Sequence, residues 1–305
     1  MDVSIIIVSY NTKKILADCL KSIYEHTKDI SYEIIVSDNG SIDGSVEMVK
    51  ADFPQVILVE NNANLGFGTA NNRGLAIANG KYVFYLNSDT VLLNNAVKMF
   101  FDYWENNDTN DTFGVLACNL MDLEGGCAAS GGNFPEYWTD VSSLMHKIYG
   151  FTKLAILHRL FKRDLPIFKE KSYGESFGPV DFVCGADLFL RNDGRARFDE
   201  DFFLFYEETF LQYNLAKEGK LRLLIDGPKI IHLHGASSKI SEIDIVRNET
   251  RFSSAQCMIS KVLYYKKIGV SFFKIAILKF LIVCFWSTPM LIKENKKYMS
   301  KLLAV

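Results

Sequence analysis

The first ninety residues alternate short apolar runs with amphipathic segments, and each apolar run ends in polar residues. Residues 3–8 form a β-branched run, as in a strand buried on both faces of a parallel sheet. A helical stripe follows, with Asn11 and Thr12 as candidate caps; its apolar members are Ile15, Leu16, Cys19, Leu20 and Ile23. The pattern further predicts strands at 33–36, 56–59 and 82–86 and helices at 45–51 and 68–78. This βαβαβαβ order predicts an α/β fold with a doubly wound, mostly parallel sheet flanked by helices.

The pattern loosens over residues 120–180, where glycine pairs interrupt it and residues 142–163 could form an amphipathic basic helix. Regular structure is predicted again near 181–190 and 221–231. The last fifty residues are predicted to be a helical extension.

Composition is that of an ordinary globular protein, with 49% hydrophobic and 23% charged residues in a chain of 305. The six cysteines form no Cys-x-x-Cys pair, which argues against a disulfide framework or a zinc site and suits a reducing compartment. The start carries an acid and no basic segment, unlike a signal peptide. These features predict a cytoplasmic protein.

The net charge of −2 conceals a strongly basic end. Residues 255–305 contain nine lysines and the single acid Glu294, so this end is expected to touch an anionic partner. Its apolar stretch, 268–292, is interrupted by Lys274 and Lys279, and the uncharged run 280–292 is too short to span a membrane. A helix lying on an anionic membrane surface is therefore predicted rather than a nucleic-acid contact. The alternative is a helix packed on the body or on a partner subunit.

Four polar clusters follow successive predicted strands, at 9–11, 37–41, 64–68 and 87–89. Each cluster alone is what an ordinary turn contains. Because the carboxyl ends of parallel strands meet at one crevice, four such clusters predict a ligand site there.

Several ordered motifs resemble one family. The series SIIIVSYN, SDNGSIDGS, NLGFGTANNRG and YLNSDT, continued by VCGADLFLR, FDEDFFLFYEE and HLHGASS, covers most of residues 1–240. It resembles the inverting glycosyltransferases of family 2, which have the A-type glycosyltransferase fold. The third motif is most similar to a bacterial subgroup of rhamnosyltransferases. The resemblance implies a nucleotide-sugar-binding half at 1–120, an acceptor-binding, catalytic half of the same domain at 121–240, and a helical region at 241–305.

The resemblance also implies which residues bind the nucleotide-sugar donor. They are Ser9, Tyr10, Asn11, Asp38, Asn39, Asn64, Gly66, Phe67, Asn71, Asn87 and Ser88. The carboxylate of Asp38 could accept the imide N–H of a pyrimidine base, or it could instead cap the turn that follows it.

Asn87-Ser88-Asp89 stands in the place of the family's Asp-x-Asp metal motif, which implies a divalent metal, Mg²⁺ or Mn²⁺. Asp89 is the implied ligand. Asn87 replaces the first aspartate, so the donor's diphosphate must supply much of the coordination. His232 matches a family histidine that approaches the metal, with His234 as the second choice. A purely structural histidine is the alternative.

Glu207-Glu208 stands where the family has a Glu-Asp pair, so Glu208 matches the general base that takes the acceptor's proton, and Glu207 is the choice if the register is off by one. Phe210 occupies a position where the family commonly has aspartate. The alternative is a solvated acidic turn.

Together these features predict an inverting transferase that moves a sugar, with rhamnose as the first candidate, from a nucleotide diphosphate to a glycan or lipid-linked glycan in bacterial cell-surface polysaccharide assembly. It is expected at the inner face of the cell membrane and without a nucleic-acid partner. A non-catalytic nucleotide-sugar-binding protein of the same fold is the first alternative. A nucleotide-cofactor oxidoreductase is disfavoured, because no Gly-x-Gly-x-x-Gly follows the first strand.

Overall fold

The computed structural model describes residues 1–128, 130–151, 177–233, 245–287 and 292–305. Over these residues the chain forms two compact units. Unit 1 comprises the described residues within Met1–Phe134, Ser172–Phe203 and Glu207–Lys239, and unit 2 comprises those within Pro135–Lys171, Leu204–Tyr206 and Ile240–Val305.

The secondary structure follows the predicted order. The strands are β1 Val3–Ser9, β2 Tyr32–Asp38, β3 Ile57–Glu60, β4 Tyr82–Leu86, β5 Thr90–Leu92, β6 Phe113–Cys118, β7 Gly131–Gly132, β8 Gly178–Val180, β9 Phe182–Val183, β10 Asp187–Arg191, β11 Leu221–Ile225 and β12 Ile230–His232. The helices are α1 Lys13–His26, α2 Ser45–Asp52, α3 Phe67–Leu75, α4 Ala96–Asn107, α5 Tyr137–Phe151, α6 Glu207–Lys217, α7 Ile245–Lys267, α8 Phe272–Trp286 and α9 Ile292–Ala304.

Unit 1 is built on an eight-stranded sheet with the order β3-β2-β1-β4-β10-β6-β11-β8. Strands β3, β2, β1 and β4 are parallel to one another, and β6 is parallel to β11. Strand β10 runs antiparallel to both of its neighbours, β4 and β6, and β8 is antiparallel to β11. The predicted mostly parallel α/β sheet is confirmed.

Alternation along β1 shows why this sheet is covered on both sides. Ile5 and Ile7 belong to one buried cluster, which also contains residues of α1, α2 and α4. Ile6, which points the other way, belongs to a second cluster with residues of α6. A strand buried on both faces must be apolar at nearly every position, and this is the run observed at the start of the chain.

Three local predictions need correction. Thr12 makes no side-chain capping bond to α1; the first helical amide, of Lys13, donates instead to Asp43 Oδ2 at 2.8 Å. The helix predicted at 68–78 begins one residue earlier and ends at Leu75. The regular structure predicted near 181–190 and 221–231 consists in each case of two short strands, β9 with β10 and β11 with β12.

Unit 2 consists of helices over its described residues. One face of α8 is buried, which agrees with the packed-helix alternative; its members are Ile275, Leu278, Ile282, Phe285 and Trp286. The opposite face is exposed, with Phe272, Phe273 and Phe280 at 80%, 78% and 65% of their accessible surface. The predicted C-terminal helices are confirmed.

Two further observations concern the predicted membrane contacts. No helix within the described ranges is both long enough and apolar enough to cross a bilayer. The predicted basic helix at 142–163 begins earlier, at Tyr137, as α5. Its basic residues His158, Arg159, Lys162 and Arg163 lie outside the described residues.

Candidate functional site

The first two polar clusters lie side by side, because β1 and β2 are neighbouring parallel strands. The amide of Asn39 donates to the carbonyl of Ser9 at 2.8 Å. Asn11, whose φ is +55°, donates its amide to Ser41 Oγ and accepts the Ile42 amide at Oδ1, both at 2.8 Å. Tyr10, between Ser9 and Asn11 in the sequence, has an exposed side chain. The predicted convergence of these two strand ends is therefore observed.

Asp38 is buried and caps the turn that follows β2. Its Oδ1 accepts the amides of Gly40 at 3.0 Å and Ser41 at 2.8 Å, and Oδ2 accepts Ser41 Oγ at 2.5 Å. These are the bonds of the capping alternative. The predicted contact between Asp38 and a nucleotide base stays a prediction.

The third cluster joins the site through a network of amide side chains. Asn39 Nδ2 donates to the Gly66 carbonyl at 3.1 Å and to Asn64 Oδ1 at 3.4 Å. The same Asn64 oxygen accepts the Gly66 amide at 3.0 Å. Asn61, which the sequence analysis did not single out, donates to Ser37 Oγ and to Asn39 Oδ1 at 2.9 and 3.2 Å. Amide side chains that pair with one another around the buried Asn39 in this way fix the loop in one conformation.

Only glycine suits position 66, because of both its backbone conformation and the atoms around it. Its φ and ψ are 85° and 178°, in a region that essentially only glycine adopts. A Cβ there would lie 2.1 Å from the carbonyl oxygen of Phe203, which accepts the Phe67 amide at 2.9 Å. Asn71 is buried in the next turn and donates to the Phe67 carbonyl at 3.2 Å. The loop thus approaches a second backbone segment closely.

The fourth cluster is a tight turn after β4. The Asn87 amide donates to the Ala186 carbonyl at 3.0 Å, and the Asn87 carbonyl accepts Thr90 Oγ1 at 2.7 Å. Ser88 and Asp89 are buried within this turn. β5 then pairs antiparallel with β12, which places Thr90 opposite His232.

Pairing of β5 with β12 brings the two implied metal-binding residues together. Asp89 Oδ1 lies 3.3 Å from His232 Nε2, and both side chains are buried. Backbone bonds fix both residues: the Leu233 amide donates to the Asp89 carbonyl, and the His232 amide donates to that of Met121. Among the residues that the structure describes, no group of three or more histidine, cysteine, aspartate or glutamate side chains could hold a metal ion. His234 lies outside the described residues.

The acid pair opens helix α6. Phe205 and Tyr206, which directly precede it, have φ angles of +67° and +69°, a left-handed conformation that is rare for bulky residues. Such strained backbone clusters at functional sites. Glu207 is buried, and its Cβ lies 3.5 Å from the Cβ position of Gly68.

Glu208 is half-buried beside Gly185, whose Cβ position is 3.3 Å from Glu208 Cγ. Desolvation raises the pKa of this carboxyl above its ordinary value of 4.5. Thr209 Oγ1 donates to Glu208 Oε1 at 3.2 Å. The ring of Phe210, at the position of a family aspartate, packs against Phe202 with centroids 5.5 Å apart. The pair is therefore not the solvated acidic turn of the alternative interpretation.

Cys184 and Asp187 are further residues of this region that the sequence analysis did not select. Burial raises the pKa of the Cys184 thiol to about 12, and the carboxylates of Asp187, Glu208 and Asp89 add to the rise. The implied metal ligand and the implied base therefore both contribute to the raised pKa of this thiol. Burial also raises the pKa of Asp187 to about 8, although the Cys118 amide donates to it at 2.8 Å. Asp187 could have been selected from the sequence, because it is a carboxylate within a mostly apolar predicted segment.

Comparison with known proteins gives a family for part of the chain. Residues 4–124 match the family described as Glycosyl transferase family 2. The poly(ribitol-phosphate) beta-glucosyltransferase of Bacillus spizizenii is 30% identical over 121 residues, which is 38% of this chain and 19% of that protein. The N-acetylglucosaminyl-diphospho-decaprenol L-rhamnosyltransferase of Mycobacterium tuberculosis is 24% identical over 221 residues, 67% of each chain. The chain spans less than half the length of several curated relatives that it matches.

The fold also matches solved structures. A mannosyltransferase from Pyrobaculum calidifontis, in complex with GDP-Man and Mn²⁺, superposes with a TM-score of 0.54 at 14% identity. The match covers 99% of this chain and 73% of the other. At this identity the likeness concerns the fold alone, and it confirms the predicted A-type fold.

Proposed function

Because residues 4–124 belong to glycosyl transferase family 2, we propose that this chain transfers a sugar from a nucleoside diphosphate donor to an acceptor hydroxyl. The observation that supports this most is the segment before β10, where the Ala186 carbonyl accepts the Asn87 amide at 3.0 Å and the Cβ position of Gly185 lies 3.3 Å from Glu208 Cγ. The turn that contains Asp89 and the carboxylate Glu208 thus contact adjacent residues of one segment. Metal-dependent glycosyl transfer of this kind needs two carboxylates in one site. One binds the metal ion that neutralises the donor's diphosphate, and the other takes the proton of the acceptor hydroxyl. The polar loops that follow β1, β2 and β3 supply hydrogen-bonding groups for the rest of the donor.

Asp89 and His232 are the residues that would hold a divalent cation. Two adjacent ligands at about 2.1 Å from one octahedral ion lie about 3 Å apart. The observed 3.3 Å between Asp89 Oδ1 and His232 Nε2 fits such a pair with only a small adjustment, and it also fits a hydrogen bond between the two side chains. When bound, Mg²⁺ or Mn²⁺ neutralises charge on the departing diphosphate. Because Asn87 replaces the first aspartate of the metal motif, phosphate oxygens of the donor must complete the coordination. A cation with only two protein ligands has positions left for them.

Glu208 is the proposed general base. Its ionised carboxylate takes the proton of the acceptor hydroxyl as that oxygen attacks C1 opposite the diphosphate, which inverts the anomeric centre. The raised pKa of Glu208 makes its carboxylate a stronger base than that of an exposed glutamate. Glu207 is more buried and packs against Gly68, so a role in holding the turn suits it better.

Similarity to named relatives supports a narrower proposal for the substrates. One relative carries the name of an L-rhamnosyltransferase that acts on a diphospho-decaprenol-linked sugar, and the match covers 67% of this chain. We propose rhamnose as the first donor sugar to test and a lipid-linked glycan of a cell-surface polysaccharide as the acceptor. The alternative is a protein of the same fold that binds a nucleotide sugar without transferring it. Phe210 favours this alternative, because its aromatic contact stands where the family commonly has an aspartate.

The test is a panel of nucleotide sugars. dTDP-rhamnose, UDP-glucose, UDP-N-acetylglucosamine and GDP-mannose would each be incubated with the protein and MnCl₂, with and without lipid-linked glycan acceptor. We expect one of them to raise the melting temperature and to release nucleoside diphosphate faster with acceptor. Stabilisation without release under any condition would favour the binding protein, and no stabilisation by any member would refute both.

The exposed face of α8 supports a proposal for where the protein acts. Phe272, Phe273 and Phe280 are exposed on a helix that also carries two lysines. Lys274 Nζ lies 5.5 Å from the ring centroid of Trp138, which is itself exposed. Exposed aromatic rings beside lysines are typical of a surface that lies at the headgroup level of an anionic bilayer. We propose that this face binds the cytoplasmic side of the membrane.

Vesicle flotation tests the membrane proposal. Phe273→Ser combined with Phe280→Ser should reduce binding to phosphatidylglycerol vesicles, whereas Leu123→Ser, at an exposed position of unit 1, should not. Binding by the wild type should also weaken as salt rises, since the electrostatic part is screened. Equal binding by both variants would refute this placement of the contact.

A further inference from the structure

Asn72 is a buried residue of α3 whose side-chain amide pairs with the backbone of a segment 126 positions later. Its Oδ1 accepts the Phe198 amide at 2.9 Å, and its Nδ2 donates to the Phe198 carbonyl at 2.9 Å. Nδ2 also donates to Glu200 Oε1 at 3.0 Å. One side chain thus satisfies both backbone groups of Phe198, as a neighbouring strand would. No other residue type of this size can both donate and accept in that geometry.

The ring of Phe198 is fixed as well. It packs against Tyr85 with centroids 4.8 Å apart and against Phe67 at 5.9 Å in an edge-on arrangement. The hydroxyl of Tyr85 donates to the Ala196 carbonyl at 2.7 Å. The beginning of this segment is therefore held by its backbone and by its side chain.

The same helix holds the other end of the segment. The amide of Phe67, the first residue of α3, donates to the Phe203 carbonyl at 2.9 Å. Gly66 permits this approach. Residues 198–203 are thus bonded at both ends to α3, whose preceding loop carries the proposed donor-binding residues Asn64 and Gly66. Three residues separate Phe203 from the acid pair.

We propose that Asn72 is a positioning residue for the acid pair: by holding residues 198–203 on α3, it fixes the turn from which Glu207 and Glu208 project. The proposal rests on the function proposed above, since it concerns the placement of the base. Loss of the Asn72 amide would leave the buried amide and carbonyl of Phe198 without these partners, which favours a conformation in which water reaches them. The acid turn would then lose its fixed attachment to the loop that holds the donor.

The experiment is amide hydrogen exchange on the free protein, which needs no ligand. In Asn72→Ala we expect exchange at Phe198 to rise at least tenfold, and exchange in the peptide covering residues 204–210 to rise at least fivefold. The matched control is Asn192→Ala. That residue also bridges backbone segments, donating to the Gly80 carbonyl at 2.9 Å, but at the other end of β10. The control should leave residues 204–210 unchanged.

A second readout distinguishes positioning from a purely structural role. Carboxyl ¹³C titration of Glu208, assigned with Glu208→Gln, measures the pKa of the proposed base, which depends on its hydration. In Asn72→Ala the pKa of Glu208 should fall toward 4.5, because the loosened turn admits water, whereas Asn192→Ala should not move it. If Asn72→Ala does not fold, Asn72→Asp keeps the bond from the Phe198 amide and should give the same changes at smaller size.

Two outcomes would overturn the proposal. One is faster exchange confined to residues 198–200, with 204–210 unaffected. The other is an unchanged Glu208 titration in a folded Asn72 variant. Neither depends on the nucleotide panel, so failure of the proposed function and failure of this inference can be told apart.

Discussion

Replacing Gly66 with alanine tests the close approach between the donor loop and the segment before the acid pair. A Cβ at this position would lie 2.1 Å from the Phe203 carbonyl oxygen, and real Cβ contacts are essentially never below 3.0 Å. The backbone conformation adds a second penalty, because its φ of 85° and ψ of 178° suit only glycine. Strain of that kind costs about 1–3 kcal/mol, and forcing an extra methyl into a packed site costs about 1–3 kcal/mol more. The expected loss is therefore about 2–6 kcal/mol, a large part of the roughly 5–15 kcal/mol that holds a domain folded.

The matched control is Gly219→Ala. Gly219 also has a positive φ, +76°, but a Cβ there would meet nothing within 4 Å. Only the conformational penalty of about 1–2 kcal/mol then remains. Thermal unfolding should show Gly66→Ala melting well below Gly219→Ala, since each kcal/mol shifts the midpoint by roughly 2–4 °C in a domain of this size. Equal midpoints would show that the loop moves away from Phe203 freely, and the attachment between the two segments would be refuted.

Four other predictions concern the carboxylates. Glu208→Gln should lower turnover by about two to four orders of magnitude with little change in donor affinity, and Glu207→Gln should be less impaired; the reverse result would identify Glu207 as the base. Because the pKa of Glu208 is raised and the base must be ionised, wild-type turnover should fall as pH drops toward a midpoint above 4.5; a midpoint at or below 4.5 would contradict the desolvated site. Asp89→Ala should abolish the dependence of nucleotide binding on Mn²⁺ measured by calorimetry, and an unchanged dependence would remove Asp89 from the metal site. Folded Asp187 keeps its proton up to about pH 8, whereas the unfolded chain releases it near 3.8, so stability should fall as pH rises between these values. Asp187→Asn should remove that slope in urea titrations, and an unchanged slope would assign it to other groups.

Much of the sheet could be predicted from sequence because its signal is local. The run at residues 3–8 and the run at 82–86 are apolar enough to require burial on both faces, and both are central strands. The convergence of Ser9, Asn39 and Gly66 then follows from the geometry of parallel strands. Strands of two or three residues, such as Phe182–Val183, carry too few positions to show alternation.

Residues whose role depends on distant partners could not be found in this way. Asn72 looks like any polar residue of a helix, and only its bonds to Phe198 show what it does. The pairing of Asp89 with His232 was implied by the family resemblance, yet its cause is the antiparallel pairing of β5 with β12. Local patterning contains no information on which short strands pair across more than a hundred residues.

The direction of β10 explains how the two halves of the site meet. This strand is inserted between β4 and β6 and runs against both, so its first residue lies at the edge where the parallel strands end. The three residues before it, Cys184 to Ala186, are therefore placed among the polar loops. There the Ala186 carbonyl accepts the Asn87 amide, and Gly185 packs against Glu208. Had β10 run parallel to β4, these residues would lie at the opposite edge of the sheet. One reversal of strand direction thus brings a segment more than ninety residues away to the end of β4, beside both the turn of Asp89 and the proposed base.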